Sequence, residues 1–194
     1  MGRIELCGGP GVGKTTCATA ISDKWVIPLV RELFENVPYW HKFHDNPAGY
    51  ALEKDLSFFI PYGDQLRAAP NESYVCDFAL FQTVAYSEAA QDAADSAAVA
   101  AVYERIIARR GRPRLVVRLR CDLQTQVARI RERGRAPELG LSAEYLRRLD
   151  DAIDRQLCTL ELSVATVNLD TSRLTPRGLI YDEALKVAIE RCLR

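Results

Sequence analysis

The chain has 194 residues and a mass of 21.7 kDa, a length that fits one domain and is short for two. Its 26 Lys and Arg residues balance 26 Asp and Glu residues, so the net charge gives no overall attraction for nucleic acid. With 48% hydrophobic residues the composition is globular, which excludes disorder for most of the chain. No apolar stretch approaches the roughly 18 residues of a membrane helix, and no signal-peptide pattern follows Met1, so we expect no membrane partner and a cytoplasmic location.

Five apolar, strand-like segments alternate with stretches that are long enough for helices. The segments are Ile4–Cys7, Val26–Val30, Tyr74–Cys76, Leu115–Leu119 and Val164–Val167. This alternation predicts an α/β fold, with a central parallel five-stranded sheet flanked by helices, in a single domain over residues 1–194.

The strongest helix signal lies late in the chain, where apolar residues recur every four positions behind a candidate N-cap at Ser142. They are Tyr145, Leu149, Ile153 and Leu157, and they predict a helix that faces the core. Asp122 is the expected cap of a helix that runs to Arg133.

Three further features have structural interpretations. Thr175 followed by Pro176 predicts the start of the C-terminal helix, and the Ala-rich span Ala89–Ala101 predicts a surface helix. The six cysteines form no Cys-x-x-Cys pair, so we expect reduced core thiols and no zinc site; they are Cys7, Cys17, Cys76, Cys121, Cys158 and Cys192.

A phosphate-binding motif lies between the first predicted strand and the helix after it. Gly8-Gly9-Pro10-Gly11-Val12-Gly13-Lys14-Thr15 fits the pattern G-x-x-x-x-G-K-[ST], and Thr16 continues it into the helix. Glycines let backbone N–H groups turn toward phosphate oxygens, while Lys14 reaches the β- and γ-phosphates and the Thr15 hydroxyl binds Mg²⁺. The motif alone does not separate a GTPase switch, a motor ATPase and a small-molecule kinase.

Three arginines follow in the segment from residue 129 to 135. Arg129 and Arg133 are four residues apart and share a helical face, while Gly134 permits a turn before Arg135. Guanidinium groups at a helix end are suited to a lid, over about residues 129–141, that stabilises the negative charge of a migrating phosphoryl group.

Two acids lie at the ends of predicted strands. Glu32 comes after Val26–Val30, and Asp77 comes after Tyr74–Cys76. Because the carboxyl ends of parallel strands face the ligand crevice, both acids are expected near the phosphates, one to accept a proton and one to help hold Mg²⁺.

Several motifs in order resemble the deoxynucleoside kinase family, specifically its bacterial deoxyadenosine/deoxyguanosine kinase-like branch. They are the phosphate loop, residues 32–40, Asn46-Pro47 through Phe58-Phe59, residues 76–81, and residues 129–138 followed by 141–146. The resemblance spans residues 3–158. It implies a P-loop kinase fold with an arginine-rich lid, and an ATP- and Mg²⁺-dependent kinase for the 5′-hydroxyl of a deoxynucleoside.

The resemblance also implies roles for individual residues. Glu32 aligns with the general base and Asp77 with the acid near Mg²⁺. Arg129, Arg133 and Arg135 align with the lid arginines, and Glu138 with an acid that contacts the sugar 3′-hydroxyl. The family is commonly dimeric, which implies a homodimer.

Four positions differ from the family pattern. Asp55 replaces a base-reading glutamine, Phe78 an arginine, Thr83 an aspartate, and His44 a tyrosine near the sugar. An ionised carboxylate only accepts hydrogen bonds, so Asp55 suits the N–H donors of guanine better than the mixed edge of adenine. We therefore predict a purine acceptor such as deoxyguanosine.

Aromatic side chains before and within the third aligned motif complete the expected substrate pocket. The candidates for stacking on the base are Tyr39, Trp40, Phe58 and Phe59, with Trp40 and Phe59 assigned to the substrate site, and each also suits a place in the core. Two other functions stay open at this point: a kinase for a nucleoside monophosphate or a modified nucleoside, and a non-catalytic ATP-binding regulatory protein.

Overall fold

A single parallel sheet organises the computed structural model, which describes residues 2–34, 37–69, 72–160, 163–173 and 176–194. The side chains of His44, Pro47, Ala48, Pro137, Pro176 and Arg177 lie outside this description. The strands are β1 (Arg3–Cys7), β2 (Leu29–Val30), β3 (Tyr74–Cys76), β4 (Leu115–Arg120) and β5 (Ala165–Asp170). Their order is β2-β3-β1-β4-β5 and every pairing is parallel, which confirms the predicted sheet.

Helices cover both faces of this sheet. They are α1 (Lys14–Trp25), α2 (Trp40–Asp45), α3 (Pro47–Ala68), α4 (Gln82–Ala90), α5 (Ala93–Arg110), α6 (Leu123–Arg133), α7 (Ala143–Leu160), α8 (Pro176–Leu179) and α9 (Glu183–Leu193). Within the described ranges, no helix is long and apolar enough to cross a membrane.

Side chains of the two central strands alternate between two hydrophobic clusters. Ile4 and Leu6 of β1 and Val117 of β4 pack with α1 and α9, while Cys7 and Val116 pack with α3, α4, α5 and α7. This period-2 pattern is what a sheet with buried faces requires.

The second predicted strand is shorter than expected. Only Leu29 and Val30 pair with β3, because α1 extends to Trp25 and Val26 ends it in a left-handed conformation with φ 52°. Pro28 has no N–H to donate, and its carbonyl accepts from Val75 at 2.9 Å.

Two predicted helix caps are confirmed. Asp122 accepts from the Thr125 N–H at 2.8 Å at the start of α6, which ends at Arg133 with Gly134 in a left-handed conformation. Ser142 accepts from the Tyr145 N–H at 3.1 Å before α7, whose Leu149, Ile153 and Leu157 are buried.

Two helix predictions are wrong in their boundaries. The Ala-rich span is divided between α4 and α5 by Gln91 and Asp92, and Ala89 and Val99 are buried against the core, so it is not one surface helix. Asp92 favours this break because its carboxylate caps the N–H groups of Ala94 and Asp95.

Pro176 begins only a four-residue helix, and the C-terminal helix starts at Glu183 behind the Asp182 cap. Thr175 lies outside the described residues.

The cysteines are all free, and four of them are core thiols as expected. Cys7, Cys17, Cys76 and Cys192 are buried. The expectation is wrong for Cys158, which is exposed on α7, and Cys121 is half-buried.

A buried arginine joins β4 to α7. The Arg118 side chain is 0% exposed; its Nε donates to Asp154 Oδ1 at 3.1 Å, and its terminal nitrogen forms an ion pair with Asp150. Arg120 also pairs with Asp154. The two aspartates are one turn apart on α7, so this network fixes the helix against the sheet.

Removing both aspartates should destabilise the protein strongly. In an Asp150→Ala/Asp154→Ala variant the Arg118 guanidinium stays buried without an anion, so we expect the free energy of unfolding to fall by about 3 kcal/mol. Urea unfolding measures this change. Adding Arg118→Met should restore most of the loss because it removes the buried charge. A double variant within about 0.5 kcal/mol of the parent would show that the network does not stabilise the fold.

Candidate active site

The carboxyl ends of the strands converge on one large cavity of about 1130 Å³. Residues 8–13 follow β1, Glu32 follows β2, Asp77 follows β3 and Thr171 follows β5, and all four segments contribute to the cavity wall. This is the edge at which open parallel sheets bind ligands. The parallel order of the sheet therefore assembles residues that are far apart in the sequence.

The phosphate loop has the backbone that its glycines allow. Gly13 precedes α1 with φ 95°, and Gly8 has φ 147°. A Cβ on Gly8 would lie 2.5 Å from the Leu119 carbonyl oxygen, so a larger residue does not fit there. The N-terminus of α1 points its free N–H groups and partial positive charge toward the loop, which suits an anion.

Three side chains from distant elements hold this loop. Gln82 accepts from the Gly8 N–H at 2.9 Å, Gln126 donates to the Pro10 carbonyl at 2.8 Å, and Thr171 donates to the Val12 carbonyl at 2.9 Å. None of these three residues belongs to the phosphate-loop motif. Side chains from α4, from α6 and from the end of β5 thus position the loop by hydrogen bonds to its backbone atoms.

Lys14 lies inside the loop. Its Nζ donates to the Gly8 carbonyl at 2.7 Å and to the Gly9 carbonyl at 3.2 Å. Burial lowers the pKa of this amine, while the negative charge of Glu32 acts in the opposite direction. Lys14 therefore lies beside the acids of the cavity, and their charges favour its protonated form.

Glu32 and Asp77 are joined to each other and to Tyr62. The Glu32 N–H donates to Asp77 Oδ1 at 2.5 Å, and the Tyr62 hydroxyl donates to Glu32 Oε1. Burial raises the pKa of the Glu32 carboxyl, and both Lys14 and the Tyr62 hydrogen bond act to lower it. The Tyr62 ring stacks on Phe78 with centroids 4.2 Å apart. Sequence reasoning missed Tyr62, since nothing in its local pattern marks it.

The lid arginines each have protein partners. Arg129 donates to the Thr171 hydroxyl at 3.0 Å and to its carbonyl at 2.7 Å. Arg133 forms an ion pair with Glu138, and Arg135 lies 3.5 Å from the other oxygen of the same carboxylate. The guanidinium of Arg135 also lies 4.3 Å from the centroid of the Phe34 ring. All three arginines line the cavity.

A second part of the cavity wall, which we call the acceptor wall, is lined by Phe34, Trp40, Lys54, Asp55, Phe58 and Tyr62. Trp40 packs edge-on against Phe34 and Phe58, with centroids 5.5 and 5.9 Å apart. Asp55, Phe58 and Tyr62 lie at positions i, i+3 and i+7 of α3, so they share one helical face toward the cavity.

Asp55 has partners that the sequence analysis does not predict. Lys54 Nζ lies 2.5 Å from Asp55 Oδ1, and Gln91 Nε2 donates to Asp55 Oδ2. Burial raises the pKa of the Asp55 carboxyl, and Lys54 opposes this change. The carboxylate in the acceptor wall is therefore one half of an ion pair.

Most of the predicted site residues lie together. Those in the cavity wall are Pro10, Gly11, Val12, Gly13, Lys14, Thr15, Thr16, Glu32, Trp40, Asp55, Asp77, Phe78, Arg129, Arg133, Arg135 and Glu138. Gly8 and Gly9 contribute the carbonyls that accept from Lys14. Phe59 is 3% exposed within the core, and its neighbour Phe58 lines the wall. The side chain of His44 lies outside the described residues.

The residues predicted to hold Mg²⁺ offer suitable donors. Thr15 supplies a hydroxyl oxygen and Asp77 a carboxylate, and both line the cavity near Lys14. Mg²⁺ prefers oxygen ligands and is commonly held by one or two protein groups together with substrate phosphates, so this donor set fits the ion.

The fold and the site together define a phosphotransferase of the P-loop kinase fold, in which a phosphate loop, two acids and three arginines line one cavity. Residues 4–183 match the deoxynucleoside kinase family. The chain belongs to this family and is a transferase.

Individual relatives agree with this assignment. A deoxyguanosine kinase of Bacillus subtilis (strain 168) is 26% identical over 179 residues, which cover 87% of this chain and 86% of that protein. Among solved structures, deoxyadenosine kinase from M. mycoides with bound dCTP has a TM-score of 0.80 at 20% identity, over 95% of this chain and 99% of that one. The same enzyme with dCMP and dCDP bound has a TM-score of 0.82 at 21% identity, over 97% and 99%. The structural likeness concerns the fold.

Proposed function

We propose that this protein transfers the γ-phosphoryl group of ATP to the 5′-hydroxyl of a deoxynucleoside, a purine such as deoxyguanosine, giving the 5′-monophosphate and ADP. The observation that carries the proposal is the position of Glu32. Its carboxylate lies in one cavity between the phosphate loop with Lys14 and the aromatic acceptor wall.

The donor half of the site binds the triphosphate. Loop N–H groups and Lys14 hold the β- and γ-phosphates, and Gln82, Gln126 and Thr171 keep the loop in shape. Thr15 and Asp77 hold Mg²⁺, which supplies neutralisation of phosphate charge when bound.

The acceptor half activates the hydroxyl. The 5′-oxygen attacks the γ-phosphorus while the bond to the β–γ bridging oxygen breaks, and the hydroxyl proton passes to Glu32. Tyr62 occupies Oε1 of Glu32, which leaves Oε2 to accept this proton. Burial favours a carboxyl that binds a proton, because it raises the pKa of Glu32.

The lid arginines stabilise the charge of the migrating group. Arg133 and Arg135 share Glu138, so a single carboxylate orders two guanidinium groups at the cavity mouth. Arg129 is tied through Thr171 to the phosphate loop, which couples this segment to the bound triphosphate. Glu138 is also our candidate for the contact with the sugar 3′-hydroxyl.

Two observations support a guanine base. Asp55 lies in the acceptor wall, and a carboxylate accepts from N1–H and the 2-amino group of guanine. The Bacillus subtilis relative is a deoxyguanosine kinase.

ADP release from MgATP tests the proposal. The assay uses the purified protein with each of the four deoxynucleosides, the four ribonucleosides and their monophosphates. We expect turnover with deoxynucleosides, highest with deoxyguanosine. Turnover with monophosphates alone would instead favour a nucleotide kinase, and ATP binding without stimulation by any acceptor would contradict the proposed function.

We also propose a cytoplasmic homodimer, on the family resemblance. Light scattering of the purified protein should then give twice the 21.7 kDa of one chain. A mass of one chain at micromolar concentration would contradict it.

A further inference from the structure

The acceptor wall contains a buried ion pair, Lys54 with Asp55, and the proposed function gives a role to Asp55 but none to Lys54. Lys54 and Asp55 are 6% and 1% exposed, and both line the cavity. Burying two charges rarely adds stability over apolar packing in the same place. Stability therefore gives no reason for this pair, and its position in the wall points to binding.

Helix α3 sets the distance of the pair from the reacting end. Asp55 precedes Tyr62 by seven residues, two helical turns, so the two side chains share a face about 10 Å apart along the axis. Tyr62 donates to Glu32, where the proposed function places the 5′-hydroxyl. A nucleoside spans a comparable distance from that hydroxyl to the outer edge of its base, which brings the base edge to Lys54 and Asp55.

The surroundings hold both charges in place. Gln91 donates to Asp55 Oδ2, and Lys54 Nζ lies 4.6 Å from the centroid of the Phe43 ring and 5.9 Å from that of Tyr86. An ammonium has three N–H donors, and the ion pair with Asp55 takes one of them. The wall therefore presents a fixed donor group directly beside a fixed acceptor group.

The edge of guanine matches this arrangement. Its acceptors N7 and O6 are neighbours, and its donors N1–H and N2–H₂ are neighbours, so a cation and an anion side by side satisfy both halves. The adenine edge alternates acceptor, donor and acceptor at N7, N6–H₂ and N1. Adenine therefore carries an amino donor at position 6, where guanine carries the acceptor O6.

We propose that Lys54 is a specificity-determining residue that donates to O6 of a 6-oxopurine, while Asp55 accepts from the adjacent N1–H. The placement of the nucleoside rests on the proposed function. The inference adds a second base-reading group to Asp55, and it states that the carbonyl at position 6 is selected.

Base analogues test this selection in the unmodified protein. The quantity is kcat/KM for deoxyguanosine, deoxyinosine, 2-aminopurine deoxyriboside, deoxyadenosine and deoxycytidine. Deoxyguanosine and deoxyinosine carry both O6 and N1–H, so we expect each to exceed the other three by roughly tenfold or more. Equal values for deoxyguanosine and 2-aminopurine deoxyriboside, or the highest value for deoxycytidine, would overturn the proposal.

Variants test whether Lys54 is the residue that selects the carbonyl at position 6 of the base. In Lys54→Met we expect KM for deoxyguanosine to rise about tenfold or more, with a smaller change for deoxyadenosine and kcat within a few-fold. Lys186→Met, on α9 away from the cavity, is the matched control. Because Lys54→Met leaves Asp55 without its cation, a neutral Lys54→Gln/Asp55→Asn variant is measured as well. Its amides donate and accept, so the ratio between the 6-oxo and 6-amino substrates should fall toward one. An unchanged ratio in this neutral variant overturns the proposal, and this includes equal losses for both substrates, which a purely structural role of the pair would cause.

Calorimetry separates this inference from the proposed function. If no nucleoside stimulates ADP release, the proposed function fails. Direct binding of deoxyguanosine and 2-aminopurine deoxyriboside then decides the inference alone. Tighter binding of deoxyguanosine that is lost in the neutral variant supports it, and equal or undetectable binding of both overturns it.

Discussion

A Glu32→Gln variant should lose at least ~10²-fold in kcat while its KM for the nucleoside changes little. The amide keeps the size of the side chain and still accepts from Tyr62, so the wall of the cavity is preserved. It does not take the proton of the 5′-hydroxyl. The effect therefore falls on the transition state and spares binding of the substrate.

Steady-state ADP release with deoxyguanosine measures this effect. Glu190→Gln, on the exposed face of α9, is the matched control and should keep the parent rate. Circular dichroism and the unfolding midpoint verify that the variant is folded. Unchanged turnover in folded Glu32→Gln would remove Glu32 from the role of general base.

A Lys14→Met variant should lose about 10²- to 10³-fold in kcat/KM for ATP. Lys14 is the cation at the centre of the phosphate loop, and its Nζ reaches the Gly8 and Gly9 carbonyls. Methionine retains the length of the side chain but provides no positive charge for the β- and γ-phosphates. Binding and phosphoryl transfer should both suffer, because those charges are present in the substrate and in the transition state.

Titration with ATP measures the binding affinity of the Lys14→Met variant, and the kinetics of ADP release measure its kcat/KM. Lys24→Met, in the last turn of the same helix, is the control. It changes an equivalent side chain away from the phosphate loop and should leave kcat/KM within a few-fold. A Lys14→Met enzyme with near-parental kcat/KM would contradict phosphate binding by this lysine.

Local sequence patterns predicted those parts of the site that consist of residues close together in the chain. The phosphate-loop motif occupies eight consecutive residues that follow β1 and enter α1. Its glycines Gly8, Gly11 and Gly13 adopt backbone conformations that other residues rarely adopt, so the motif is recognisable without the rest of the fold. The acids Glu32 and Asp77 were predictable for a related reason. Asp77 directly follows β3, Glu32 follows β2 after one residue, and the parallel sheet brings strand ends together.

Predictions that needed side-chain environment were less complete. Asp55 was expected as a carboxylate facing the base, but Lys54 and Gln91 hold it in the structure, and Gln91 is 36 residues away. The choice between Phe58 and Phe59 also needed the packing of α3, because neighbouring aromatics in a helix carry the same local signal.

The class of fold, the phosphate loop and the family can all be inferred from the sequence alone. This is possible because strand alternation, turn glycines and caps act between neighbours in the chain, and because the family motifs are short. Two contacts of the site become visible only in the folded chain: Tyr62 bonds Glu32, 30 residues away, and Thr171 bonds the Val12 carbonyl, 159 residues away. Such contacts depend on where whole helices pack against the sheet, and a local sequence pattern carries no information about that packing.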